Sequence, residues 1–181
     1  MIATATADHL FWITSRAAGT LALLLSSAGM SLGLLMGGRL VKGRALDLRA
    51  LHEALSLATL AALVVHAVSL LGDGFLAPSL ADIAIPFVSD YRQPWMSLGI
   101  LGGWAMVLLG LSYYARGRIG VQRWRRLHRF TALAWLAGLA HSLAMGTDAG
   151  RIWFLLAIAI VAVPALVLLV ARMSVEEAPA R

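Results

Sequence analysis

Long apolar runs, each closed by a short polar interval, organise this chain from end to end. Windows free of charged residues occur at Ala17–Gly38, Ala54–Gly72, Gln93–Ala115, Phe130–Thr147 and Ile152–Ala171. Crossing the hydrocarbon core of a bilayer takes about 20 apolar residues in a helix, and these windows are of that order. The pattern predicts an all-α integral membrane helical bundle of about five transmembrane helices, over residues 15–38, 51–72, 93–115, 128–147 and 152–171. Residues 1–181 are expected to form a single membrane domain, with nothing left over for a soluble one.

Composition supports the membrane assignment: 60% of residues are hydrophobic, 13% are charged and the mean hydropathy is +0.82, far from the values of soluble domains. Only Arg16 among basic residues precedes the first apolar run, so the N-terminal segment is expected to remain as a span rather than be removed as a secretory signal. The absence of cysteine excludes disulfides, thiolate metal ligands and cysteine catalysis.

Charge predicts orientation. Arg39, Lys42, Arg44 and Arg49 against Asp47 separate the first two spans, and Arg116, Arg118, Arg123, Arg125, Arg126 and Arg129 precede the fourth with no acid among them. Basic loops stay cytoplasmic, which puts the N-terminus outside and the C-terminus inside. The segment from Asp73 to Arg92, with Asp73, Asp82 and Asp90 against one arginine, then faces outward, as does the near-neutral "GTDAGR". The net charge of +6 is accounted for by topology and anionic lipid rather than by nucleic acid. Trp12, Trp95, Trp124 and Trp153 fall near span ends, where amphipathic indoles favour the interface.

Four histidines interrupt this apolar pattern. His52 and His66 are fourteen residues apart on the second span, and His128 and His141 thirteen apart on the fourth. Both spans run in the same direction, so His52 and His128 share the inner level and His66 and His141 the outer one. A rise of 1.5 Å per residue puts the levels roughly 20 Å apart. Aligning His52 with His128 also aligns Leu51 with Leu127, Leu57-Ala58 with Leu133-Ala134 and Leu60-Ala61 with Leu136-Ala137. Between the histidines lie the small residues Ser56, Thr59 and Ala62 on one span and Thr131, Ala132 and Gly138 on the other. They are read first as a packing seam of membrane helices and second as room for a flat macrocycle. At about 100° per residue, fourteen steps fall about 40° short of four turns and thirteen about 140° short. The second pair therefore requires either irregular winding near Gly138 or approach from different azimuths.

Heme meets the requirement for two imidazoles facing each other in an apolar slot, since its iron takes one axial nitrogen from each side. A single membrane histidine is equally well explained by a hydrogen bond to a neighbouring helix. Four in two levels on parallel spans favour ligation. Zinc or copper is the weaker metal alternative, because no intramembrane carboxylate, cysteine or third histidine completes either pair. His9, outside every span, is assigned no role.

The histidine spacing, with "SRAAGTLALLL", "IPFVSDYRQPW", "RWRRLHR" and "GTD" around it, resembles the ferric reductase-like transmembrane domain, the family that includes NADPH oxidases, ferric-chelate reductases and the heme-binding subunit of methionine sulfoxide reductase systems. The resemblance runs from Ser15 to about Trp153. It implies two b-type hemes, the inner held by His52 and His128 and the outer by His66 and His141. It departs from the family in having no glycine-rich nucleotide loop for flavin or nicotinamide, and five rather than six spans. Electrons are therefore expected from a cytoplasmic flavoprotein reductase or, second, a membrane quinol, and are expected to reach an outer acceptor such as ferric iron, oxygen or a partner reductase. Candidate partners for the heme propionates are Arg44, Arg49, Arg126 and Arg129 inside and Arg16, Arg92 and Arg151 outside. Each is also explained by topology and lipid headgroups. Trp135, between the two levels, is read either as a ring stacked between macrocycles or as ordinary packing. The alternative from a different class is a non-redox scaffold or transporter subunit with structural histidines.

Overall fold

The computed structural model describes residues 2–38 and 45–176, with side chains over 9–38 and 47–174. All regular structure among the described residues is helical, one of the two ways in which a chain satisfies its own backbone groups where no water does. The helices are α1 (Ile2–Gly37), α2 (Ala45–Leu70), α3 (Leu80–Ala84), α4 (Gln93–Leu111), α5 (Arg116–Ile119), α6 (Val121–His128), α7 (Thr131–Met145) and α8 (Ile152–Glu176). Four of them contain stretches long and apolar enough to cross a bilayer, at His9–Gly37, Asp47–Leu70, Gln93–Leu111 and Ile152–Ser174. The chain is a multi-pass integral membrane protein with an all-α fold. Arg39, Lys42 and Arg44 lie outside the described residues.

The segment expected to span 128–147 is divided. Its α7 part has 15 residues, a rise of about 22 Å, and α6 precedes it across a turn at Arg129–Phe130. The local chemistry explains the break. The Thr131 hydroxyl donates to the His128 carbonyl at 2.7 Å, competing with the helical ladder in the way that bends helices. Around it the backbone tightens to three-residue bonds, Phe130 N–H to Leu127 O at 3.0 Å and Leu133 N–H to Phe130 O at 3.1 Å. Each residue wound this way advances about 120° rather than 100°. The irregular winding expected near Gly138 is thus found nearer His128.

α1 is the central helix, packing along α2 and α8 and touching α7, while α4 lies along α7. Leu23, Trp135, Leu139, Phe154, Ile158, Ala162 and Ala165 form the core where α1, α7 and α8 meet. Between α2 and α4 the chain folds back over the end of the bundle. There Ser79 caps α3 in a reciprocal pair with Asp82, Phe87 N–H donates to Ser97 Oγ at 2.8 Å, and Trp104 Nε1–H donates to Ala84 O at 2.8 Å.

Candidate functional site: two imidazole pairs

The four histidines come together as two pairs, both formed between α2 and the α6–α7 segment. The His52 and His128 ring centres are 6.3 Å apart with planes crossed at 80°. Those of His66 and His141 are 6.5 Å apart and crossed at 75°.

Three of the four rings are oriented by a backbone carbonyl on the adjacent helix. His52 Nδ1 lies 3.0 Å from Gly29 O, His66 Nδ1 2.8 Å from Ser15 O, and His141 Nδ1 2.8 Å from Trp95 O. A carbonyl can only accept, so in each case Nδ1 carries the proton, and in the neutral ring Nε2 is left with its lone pair. This is the outer-shell arrangement that sets tautomer and direction for a metal-binding histidine. Ser15 reinforces His66 twice over: its hydroxyl donates to the His66 carbonyl at 3.0 Å and also sits 3.0 Å from Nδ1.

Helix register explains the repetition. Ser15 and Gly29 are fourteen residues apart on α1 and hold two histidines fourteen apart on the antiparallel α2. Small residues let the rings fit. A Cβ at Gly19 would come within 2.9 Å of His66 Nδ1, one at Gly33 within 3.1 Å of His52 Cε1, and one at Gly99 would overlap the His141 ring. The carbonyl anchors and the glycine seats escape a reading confined to the histidines. Their signal is nonetheless in the chain, because Ser15 with Gly29 and Gly19 with Gly33 repeat the His52–His66 interval on the preceding span.

The other expected residues are distributed differently. Arg16 makes a two-point ion pair with Asp148 of the "GTD" turn and lies 4.9 Å from the Trp12 ring centre. Arg126 and Arg129 are exposed at the end of the bundle that carries His52 and His128, and Arg49, Arg92 and Arg151 are exposed as well. Trp135 faces the α1–α8 core: it is 1% exposed, and its Nε1–H donates to Ser27 Oγ at 3.0 Å. Of the two readings of Trp135, this placement is that of packing. His9 stacks on Trp12 at 5.6 Å, away from both pairs.

Fold and site together define a helical membrane protein with imidazole pairs stacked along its axis. Residues 18–139 match the family of the ferric reductase like transmembrane component, and the chain belongs to that family. Membership makes it the transmembrane electron-transfer component of a redox system, in a family that generally binds heme. The matched segment includes His52, His66 and His128 and stops just short of His141. No curated protein and no solved structure matches the chain.

Proposed function

We propose that the chain holds two b-type hemes, one between His52 and His128 and one between His66 and His141, and serves as a transmembrane cytochrome. The ring spacing carries this reading. A transition metal binds an imidazole nitrogen at about 2 Å and the ring centre stands roughly 1 Å behind it, so two imidazoles sharing one metal from opposite sides have centres about 6 Å apart. Separations of 6.3 and 6.5 Å fit. Each pair offers only two ligands, and no group of three His, Asp or Glu side chains gathers among the described residues. A bound group must then bring the rest of its coordination, as a porphyrin does and a bare zinc or copper ion does not.

Heme, when bound, supplies a one-electron iron couple whose potential follows axial ligation, hydrogen bonding and burial. The chain's own part is orientation. The Ser15, Gly29 and Trp95 carbonyls keep the proton on Nδ1, and the glycines let the rings sit close to α1 and α4. With the basic end of α6 cytoplasmic, His52 and His128 form the inner level. Arg123, Arg125 and Arg126 then offer a docking surface for an acidic cytoplasmic flavoprotein, with membrane quinol as the second donor. The outer acceptor is ferric iron, oxygen or a partner reductase. Arg49, Arg126 and Arg129 are the inner candidates for the propionates and Arg92 and Arg151 the outer ones; Arg16 pairs with Asp148.

The test is a visible spectrum and a pyridine hemochrome count on the purified protein and four variants. His66→Ala and His141→Ala should each affect one heme, and His52→Ala and His128→Ala the other. A protein without heme, or His66→Ala and His52→Ala emptying the same site, would sink this reading and favour a structural role for the histidines.

A further inference from the structure

Three imidazoles make a regular hydrogen bond to a carbonyl, and His128 does not. Its Nδ1 is buried and makes no hydrogen bond of regular geometry among the described residues. Register is the reason. Leu109 of α4 stands fourteen residues after Trp95, whereas His128 precedes His141 by thirteen, so the Leu109 carbonyl that continues the pattern reaches the ring but out of line for a regular hydrogen bond.

Trp124 fills the gap. It lies one helical turn before His128 on the same face of α6, and its indole stacks on the imidazole with centres 5.0 Å apart and planes 28° from parallel. Tyr113 packs against the indole at 5.8 Å and 63°, and the Arg116 guanidinium covers Tyr113 at 3.7 Å. A buried indole ordinarily gives its N–H to an acceptor, as Trp135 does to Ser27. Trp124 Nε1 is buried with no hydrogen-bond partner among the described residues. What this side chain contributes at the site is its face.

We propose that Trp124 is the positioning residue of the inner site, holding His128 by ring stacking where the carbonyl contact lacks the regular geometry that orients the other three histidines. The proposal rests on the two-heme reading. A hydrogen bond fixes the direction of one ring atom, whereas a stack resists tilting and leaves the ring free to slide in its own plane. His128 is accordingly the axial ligand most easily detached, and the inner heme the one most open to an added ligand.

The experiment uses the full chain in detergent, with hemes counted and spins assigned by electron paramagnetic resonance, and carbon monoxide added after reduction. Trp124→Phe keeps an aromatic face and should retain two low-spin hemes. Trp124→Ala, and Trp124→Leu in case the smaller residue prevents folding, should convert one heme's worth of low-spin signal, with carbon monoxide taken up by that half alone. Two undisturbed low-spin hemes in Trp124→Leu would overturn the proposal, and so would Trp124→Phe failing as badly as Trp124→Leu. A wild-type protein that binds no heme would overturn the two-heme reading instead.

Discussion

Gly19→Ala should weaken the outer heme selectively. The added methyl would stand 2.9 Å from His66 Nδ1 and 3.0 Å from Cε1, closer than carbon and nitrogen pack. The ring cannot simply withdraw, because Nδ1 is held by Ser15 O at 2.8 Å and His141 closes the far side at 6.5 Å. Overpacking of this kind costs about 1–3 kcal/mol, and alanine regains about 0.5–1 kcal/mol of helix propensity. A net loss on the order of 1 kcal/mol falls on the His66 site, weakening heme binding there by several-fold to about tenfold. Gly99→Ala should act at least as strongly through His141. Gly33→Ala, at 3.1 Å from His52 Cε1, should be milder and act on the inner heme. Gly103 supplies the control on α4, since nothing lies within 4 Å of its Cβ position. Heme content by pyridine hemochrome, with the low-spin signals resolved by electron paramagnetic resonance, reads the effect. If Gly19→Ala and Gly103→Ala lost heme equally, or Gly19→Ala disturbed only the inner signal, the seating of His66 against α1 would be wrong.

Replacing Arg123, Arg125 and Arg126 with Gln should slow reduction by an acidic soluble donor, most at low ionic strength where steering is strongest; stopped-flow reduction with a quinol should be little changed. Asp148→Asn leaves Arg16 without its carboxylate, but that side chain is 36% exposed and can rehydrate, so thermal unfolding in detergent should reveal a loss of only about 1–2 kcal/mol. Ser27→Ala strands the Trp135 N–H in the core and should cost about 1–3 kcal/mol in the same assay with the heme count unchanged. A reporter fused after Arg181 should be cytoplasmic and tags between Asp73 and Asp90 accessible from outside; the opposite sidedness would reverse the inner and outer levels.

Hydropathy made the long helices legible because lipid imposes one requirement on every residue of a span, and α1, α2, α4 and α8 meet it. At the fourth span it located the apolar run but not the residue where the helix begins. The turn at Arg129–Phe130, where the Thr131 hydroxyl donates to the His128 carbonyl, separates His128 on α6 from the run that α7 carries, and no window average registers it. The histidine pairing was legible from spacing alone, since direction and rise along two spans leave few ways to match four imidazoles. Their orientation was not. It depends on backbone carbonyls of Ser15, Gly29 and Trp95, of which any residue has one, so that only the fourteen-residue interval from Ser15 to Gly29 hints at them. Trp135 was ambiguous because a tryptophan midway along a span can face either neighbour; the hydrogen bond to Ser27 turns it toward the core.

Three of the four histidines and the atoms that orient them each belong to one packed pair of helices, His52 and His66 with α1 carbonyls and His141 with an α4 carbonyl. The slots for a ligand lie between these pairs, from α2 across to α6 and α7. Helix packing alone can therefore aim three imidazoles before any cofactor arrives, so the ordering cost of those rings falls on folding rather than on binding. Trp124 extends the same logic to His128 from within α6, using a ring face where the thirteen-residue interval leaves the Leu109 carbonyl out of line for a regular hydrogen bond. The two sites thus differ in how firmly their ligands are held, although each presents two histidines. Occupancy should follow that difference: as heme is supplied in limiting amount to the apo-protein, the His66–His141 site should fill ahead of the His52–His128 site. Signals of the two hemes growing in constant proportion through the titration would contradict it.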